Sequence, residues 1–179
     1  MLDRIKKLSK SDKGFTIIEV MIVLAIAGLI ILIVFLAVPA LQRNSRNTQR
    51  KNDVAAILSG VSEYSTNNNG TLPVTCSGTT PVQLGAAAAS GSQAKVGYYN
   101  GGCVVGAAAV ANGQVKLLTA YAVTGALSAA GTDYVVLVPA AACSTVTPGQ
   151  TIPGSARAIA AVYEIESGSG AFKPVCQES

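Results

Sequence analysis

Between Phe15 and Val38 the chain runs for 24 residues with only two polar side chains, Thr16 and Glu19. At about 1.5 Å of rise per residue, a helix of this length reaches about 36 Å, enough to cross a bilayer's hydrocarbon with some tilt. A carboxylate inside such a segment costs on the order of 3 kcal/mol or more, so Glu19 demands a partner. Everything else in the chain is placed relative to this stretch.

Three arrangements accommodate it. A secretory signal peptide would use Val38-Pro39-Ala40 as its cleavage site, but the apolar run far exceeds the usual core length and contains Glu19. A plain signal anchor explains length and orientation, yet leaves the carboxylate unpaired in lipid. The third arrangement cuts the chain between Gly14 and Phe15, on the cytoplasmic side. That creates an α-amino cation at Phe15, one helical turn from Glu19.

The residues Gly14, then Phe15-Thr16-Ile17-Ile18-Glu19-Val20-Met21-Ile22-Val23, with Gly28 further on, resemble the start of a type IV pilin or a closely related pseudopilin. The resemblance is close over about residues 10–40 and holds only in outline beyond. It implies a leader of residues 1–14 removed by a prepilin peptidase, N-methylation of Phe15, and a transmembrane and assembly helix over 15–38. An amphipathic continuation follows over 39–69, then a globular head over 70–179. The implied fold is α+β, the pilin fold: a long helix packed on a small antiparallel sheet. The implied partners are further copies of the chain in a helical homopolymer, an inner-membrane platform and an assembly ATPase, with the membrane holding the subunit before it enters an extracellular pilus. Alternatives are a pseudopilin of a type II secretion or competence system and a monomeric membrane-anchored binding domain. One departure stands out: the family commonly has a proline where this chain has Leu36, and here the proline is Pro39. A helix kink is therefore expected nearly one turn later.

Charge fits this organisation. Arg4, Lys6, Lys7, Lys10 and Lys13 against Asp3 and Asp12 hold the N-terminal side in the cytoplasm. Without residues 1–14 the chain keeps 8 basic and 7 acidic residues. Its basic character is thus largely a leader effect and poor support for nucleic-acid binding. In a stack of staggered parallel helices, the Phe15 amine of one copy could meet Glu19 of the next, fixing axial register as buried polar groups do in coiled coils. The plainer reading is that Glu19 caps its own helix N-terminus.

Beyond Pro39, Arg43, Arg46 and Arg50 share a helical face and read as a solvated collar touching lipid phosphates; contacts to acidic neighbours or DNA are the sharper alternative. Val54, Ile57, Leu58, Val61 and Tyr64 form an apolar stripe that Asn67-Asn68-Asn69-Gly70 ends, with Gly70 as a left-handed cap. In the head, Val115–Thr124 alternates with Leu117, Thr119, Tyr121 and Val123 on one face. Tyr134–Val138 is a continuous apolar run. Ala158–Glu166 places Ile159, Ala161, Tyr163 and Ile165 inward, and Glu164 and Glu166 outward in solvent. Three to five antiparallel strands are expected on the Val54–Tyr64 stripe, with the Ala/Gly-rich 85–91 and 106–109 stretches as loops or short helices.

Cys76, Cys103, Cys143 and Cys176 form no CxxC pair, and the chain has no histidine, so zinc and thiol-redox chemistry are disfavoured. An extracytoplasmic head favours two disulfides. Of three connectivities, Cys76–Cys103 with Cys143–Cys176 is preferred, because the second would pin the tail and resembles the C-terminal loop of many pilins. The sequence offers no catalytic residues, cofactor site or metal site. Asp133 beside Gly131 and Thr132 is too sparse for calcium, and Tyr98-Tyr99 near Lys95 reads as packing.

Overall fold

The computed structural model describes residues 14–78, 81–85, 92–120, 133–168 and 171–179. The leader residues 1–13 and the positions Tyr121, Val123, Gly125 and Gly131 lie outside them, as does most of the 85–91 stretch. A single helix, α1, covers Ile17–Asn67 and continues through Pro39. Two compact units divide the chain, Met1–Ala40 and Leu41–Ser179.

In the first unit the apolar side chains of α1 are exposed to a degree no soluble helix tolerates: Ile17 at 82% and Phe35 at 75% typify the run. This is the one helix among the described residues long and apolar enough to cross a membrane.

In the second unit α1 is one-sided. Arg50, Asp53, Val54, Ile57, Leu58, Gly60 and Val61 are buried, at the three- and four-residue steps that bring one helical face against a sheet. The helix stops where Asn69 and Gly70 turn left-handed, with φ of 55° and 83°. That conformation favours glycine or asparagine, and it frees the last carbonyls to bond the Gly70 amide, which donates to Ser65 O at 2.7 Å.

Ten strands follow: β1 (Cys76–Ser77), β2 (Val82–Leu84), β3 (Ser92–Ala94), β4 (Cys103–Val105), β5 (Val115–Leu117), β6 (Val135–Pro139), β7 (Ala141–Cys143), β8 (Thr151–Pro153), β9 (Ile159–Glu166) and β10 (Phe172–Glu178). The first three form an antiparallel sheet and β7–β8 a hairpin, while the main sheet has the order β10-β9-β6-β5-β4. The fold is α+β, a long helix on a small sheet head, but the main sheet is mixed rather than antiparallel. Pairs β4–β5 and β5–β6 are parallel, and β6–β9 and β9–β10 antiparallel. Parallel neighbours need crossovers rather than tight turns, and the connections after β4 and β5 are long enough to supply them.

Both faces of that sheet are covered. Val135, Leu137, Ile159, Ala161 and Tyr163 meet the Val54–Val61 stripe of α1. The alternate residues Val136, Val138 and Ala160 pack with Ala141 of the β7 hairpin. Disulfides join Cys76 to Cys103 and Cys143 to Cys176, with Cα separations of 5.8 and 5.6 Å. The first ties β1 to the outer strand β4; the second ties β7 to the outer strand β10.

Candidate functional site

Two places concentrate polar chemistry on α1. The first is its N-terminus. Gly14, Phe15 and Thr16 precede the helix, and Phe15 is 89% exposed. Thr16 stands at the N-cap, and Glu19, three residues on, closes a capping box. The Thr16 amide and hydroxyl both donate to Glu19 Oε2 at 2.8 Å, and the Glu19 amide donates back to Thr16 Oγ1 at 3.3 Å. Within one copy, Glu19 therefore satisfies helix-end donors, and it does so through Thr16. Glu19 is the only ionisable side chain between Phe15 and Leu41.

The second place is a polar junction between the Arg46–Asp53 segment of α1 and the base of the sheet. Arg50 sits on the buried stripe one turn before Val54, and its side chain is only 1% exposed. Its guanidinium bonds Asp133, Glu166 Oε1 at 3.0 Å and the Tyr98 hydroxyl at 2.6 Å. The Tyr98 hydroxyl in turn donates to Asp133. Arg46 forks onto Glu166 through bonds of 2.8 and 2.5 Å. Asn47 grips the Glu166 backbone from both sides, donating to its carbonyl and accepting from its amide at 2.9 Å. Asp53 accepts the consecutive amides of Gly97, Tyr98 and Tyr99 at 2.6–3.0 Å, and so holds the tyrosine loop where Tyr98 reaches Arg50.

The charges answer one another. The forked bonds from Arg46 hold the Glu166 carboxyl below its ordinary range, and the same bonds raise Arg46. Burial works against the Arg50 cation, but Asp133 and Tyr98 outweigh it and its pKa rises. Burial, then the Asp133 bond, push the Tyr98 hydroxyl up. Two guanidiniums matched by two carboxylates leave no poised acid or base. The junction is built to hold position.

These contacts correct three readings of the sequence. Arg50 is not a solvated collar residue but a buried ion-pair centre, and Arg46 is committed to Glu166. Glu166 faces the helix rather than solvent. Glu164 is 5% exposed, and burial raises its carboxyl above the ordinary range, with Asp133 adding to the effect. The signal for Arg50 was in the sequence: positions 50, 54, 57 and 61 continue the phase of the apolar stripe. Among the described residues no group of three or more His, Cys, Asp or Glu could hold a metal ion.

Comparison with known proteins bears on the N-terminus. Neither the curated proteins nor the solved structures give a match to this chain. Residues 9–35, which include the capping box and most of the exposed apolar helix, match the family model of the prokaryotic N-terminal methylation motif.

Proposed function

We propose that this chain is a prepilin of the type IV pilin and pseudopilin kind, cut after Gly14, N-methylated on Phe15 and polymerised through its N-terminal helix. The observation that carries the reading is an exposed apolar helix surface from Phe15 to Leu41 whose single ionisable group is Glu19. Covering a Leu- or Ile-sized side chain is worth roughly 1.5–3 kcal/mol, so this surface exists to be covered, first by lipid and then by other copies. The match of residues 9–35 to the methylation motif supports processing at this end. A prepilin peptidase, an inner-membrane platform and an assembly ATPase are the partners this reading requires.

Polymerisation gives Glu19 a second role beside its cap. Thr16 occupies Oε2, and the amine released at Phe15 of a neighbouring copy supplies the opposite charge that a carboxylate in an apolar stack needs. The test combines the mature N-terminus with filament yield. Mass spectrometry should find the protein beginning at a methylated Phe15, and sheared culture supernatant should contain filaments. Glu19→Ala should insert and be processed normally, yet lose filaments by an order of magnitude or more. Material that begins at Met1 or Leu41 and stays monomeric would overturn the proposal, as would normal filament yield from Glu19→Ala.

A further inference from the structure

The end of the head from which the span departs carries a small, specific surface. Strand β9 runs from the neighbourhood of the helix's C-terminal turn, where Arg157 lies against Gly70, to Glu166, clasped by Asn47. The β9–β10 turn, closed by the Ser167 amide donating to Ala171 O at 2.8 Å, is therefore at the Leu41 end of this unit. Asn47 lies about 9 Å past Leu41 along the helix axis and Arg43 about 3 Å past it. The headgroup layer of a bilayer is on the order of 5–8 Å deep on each side.

Immediately after that turn come Phe172, 41% exposed with its ring 5.7 Å from the Arg50 guanidinium, and the exposed Lys173. Arg46, Arg50, Asp133 and Glu166 neutralise one another next to them. Arg43 and Lys173 enter none of the ion pairs among the described residues. An aromatic ring with cations beside it, at headgroup height, is the composition of an interfacial anchor.

We infer that Arg43, Phe172 and Lys173 form a docking surface for anionic phospholipid headgroups, which seats the head on the membrane while the subunit awaits assembly. The inference rests on the membrane reading of the apolar helix. Its occupant follows from charge complementarity and from chain continuity: Arg43 is two residues beyond the last exposed apolar residue of the span, so a bilayer surface is the one partner that must lie beside it. The buried junction makes the surface rigid, because Asn47 and Arg46 fix the hairpin that carries Phe172 and Lys173. Each cation near an anionic surface favours the docked state about fivefold.

The chain has no tryptophan, so the full protein carrying Phe172→Trp has a single reporter. It is reconstituted in phosphatidylcholine vesicles with or without phosphatidylglycerol, using lipids brominated near the headgroup. Emission should be quenched and blue-shifted with phosphatidylglycerol present, more weakly in neutral vesicles and at high salt. Arg43→Gln and Lys173→Gln should each reduce the docked population about fivefold, whereas Arg157→Gln at the opposite end should leave it unchanged. Equal emission in neutral and anionic bilayers, or indifference to Arg43→Gln and Lys173→Gln, would overturn the inference. Phe35→Trp separates the two levels: its emission must be quenched by lipid in either bilayer, and if it is not, the membrane reading itself fails and this surface with it.

Discussion

Glu164 and Glu166 sit two residues apart on β9, and their environments push them in opposite directions. Glu166 is held below its ordinary value by Arg46 and Arg50, so its contribution is complete above the unfolded carboxylate value of about 4.3 and is lost as pH falls through its folded value. Glu164 is raised by burial. Its ionised form therefore opposes folding at neutral pH, and the penalty fades as pH falls through its folded value towards the unfolded one. Glu166→Gln should destabilise the head by on the order of 2 kcal/mol, since charged bonds to the desolvated Arg50 are lost. It should also remove the steepest part of the acid transition. Glu164→Gln should stabilise the head at pH 7 and flatten its pH dependence between about pH 4 and neutrality. Urea unfolding of the full chain in detergent, followed by near-ultraviolet dichroism of the tyrosines, checks both signs. A stabilising Glu166→Gln or a destabilising Glu164→Gln would refute the assignments.

At the scale of elements, α1 reaches the three-stranded sheet at Gly60. A Cβ there would stand 3.3 Å from both Leu84 Cδ1 and Ser92 Oγ, and the Ser92 hydroxyl bonds the Gly60 carbonyl. Alanine gains up to about 1 kcal/mol of helix propensity but must displace those neighbours by a few tenths of an ångström. A larger side chain has nowhere to go, so Gly60→Leu should cost about 3 kcal/mol in the same unfolding assay. The outer strands are fastened covalently. Replacing Cys143 and Cys176 together by serine frees a loop with a sequence separation of 33, worth about 4 kcal/mol by chain entropy. That variant should lower the midpoint strongly, and accelerated proteolysis of β10 would show where it opens.

For the molecule as a whole, two environments are written into one helix. Up to Leu41 its surface has no partner in its own chain; from Arg50 onward one face is committed to the sheet. Assembly and folding are thereby separated, since lesions in the Arg50 junction should unfold the head without touching processing, while lesions at Gly14 or Glu19 should spare the head. Gly14→Val should leave the unprocessed chain in the membrane with an unchanged head melting curve and no filaments. Coupled loss of head stability would contradict this separation.

By itself the sequence determined the helix and its two halves, because a long apolar run and a three-to-four-residue stripe each have one physical outcome. It also determined where β6 and β9 lie, since their apolar runs fall between Gly and Pro turns. Strand direction was decided only in three dimensions: alternation does not record it, and the connection after β5 passes through residues whose pattern promised a longer strand. The fate of the charges was decided there too. Reading Glu164 and Glu166 as outward assumed a sheet with one wet face, and this mixed sheet is covered on both, by α1 on one side and the β7–β8 hairpin on the other. A position opposite the helix is then no longer a position in water, and a carboxylate there must find an arginine or bear the cost of burial.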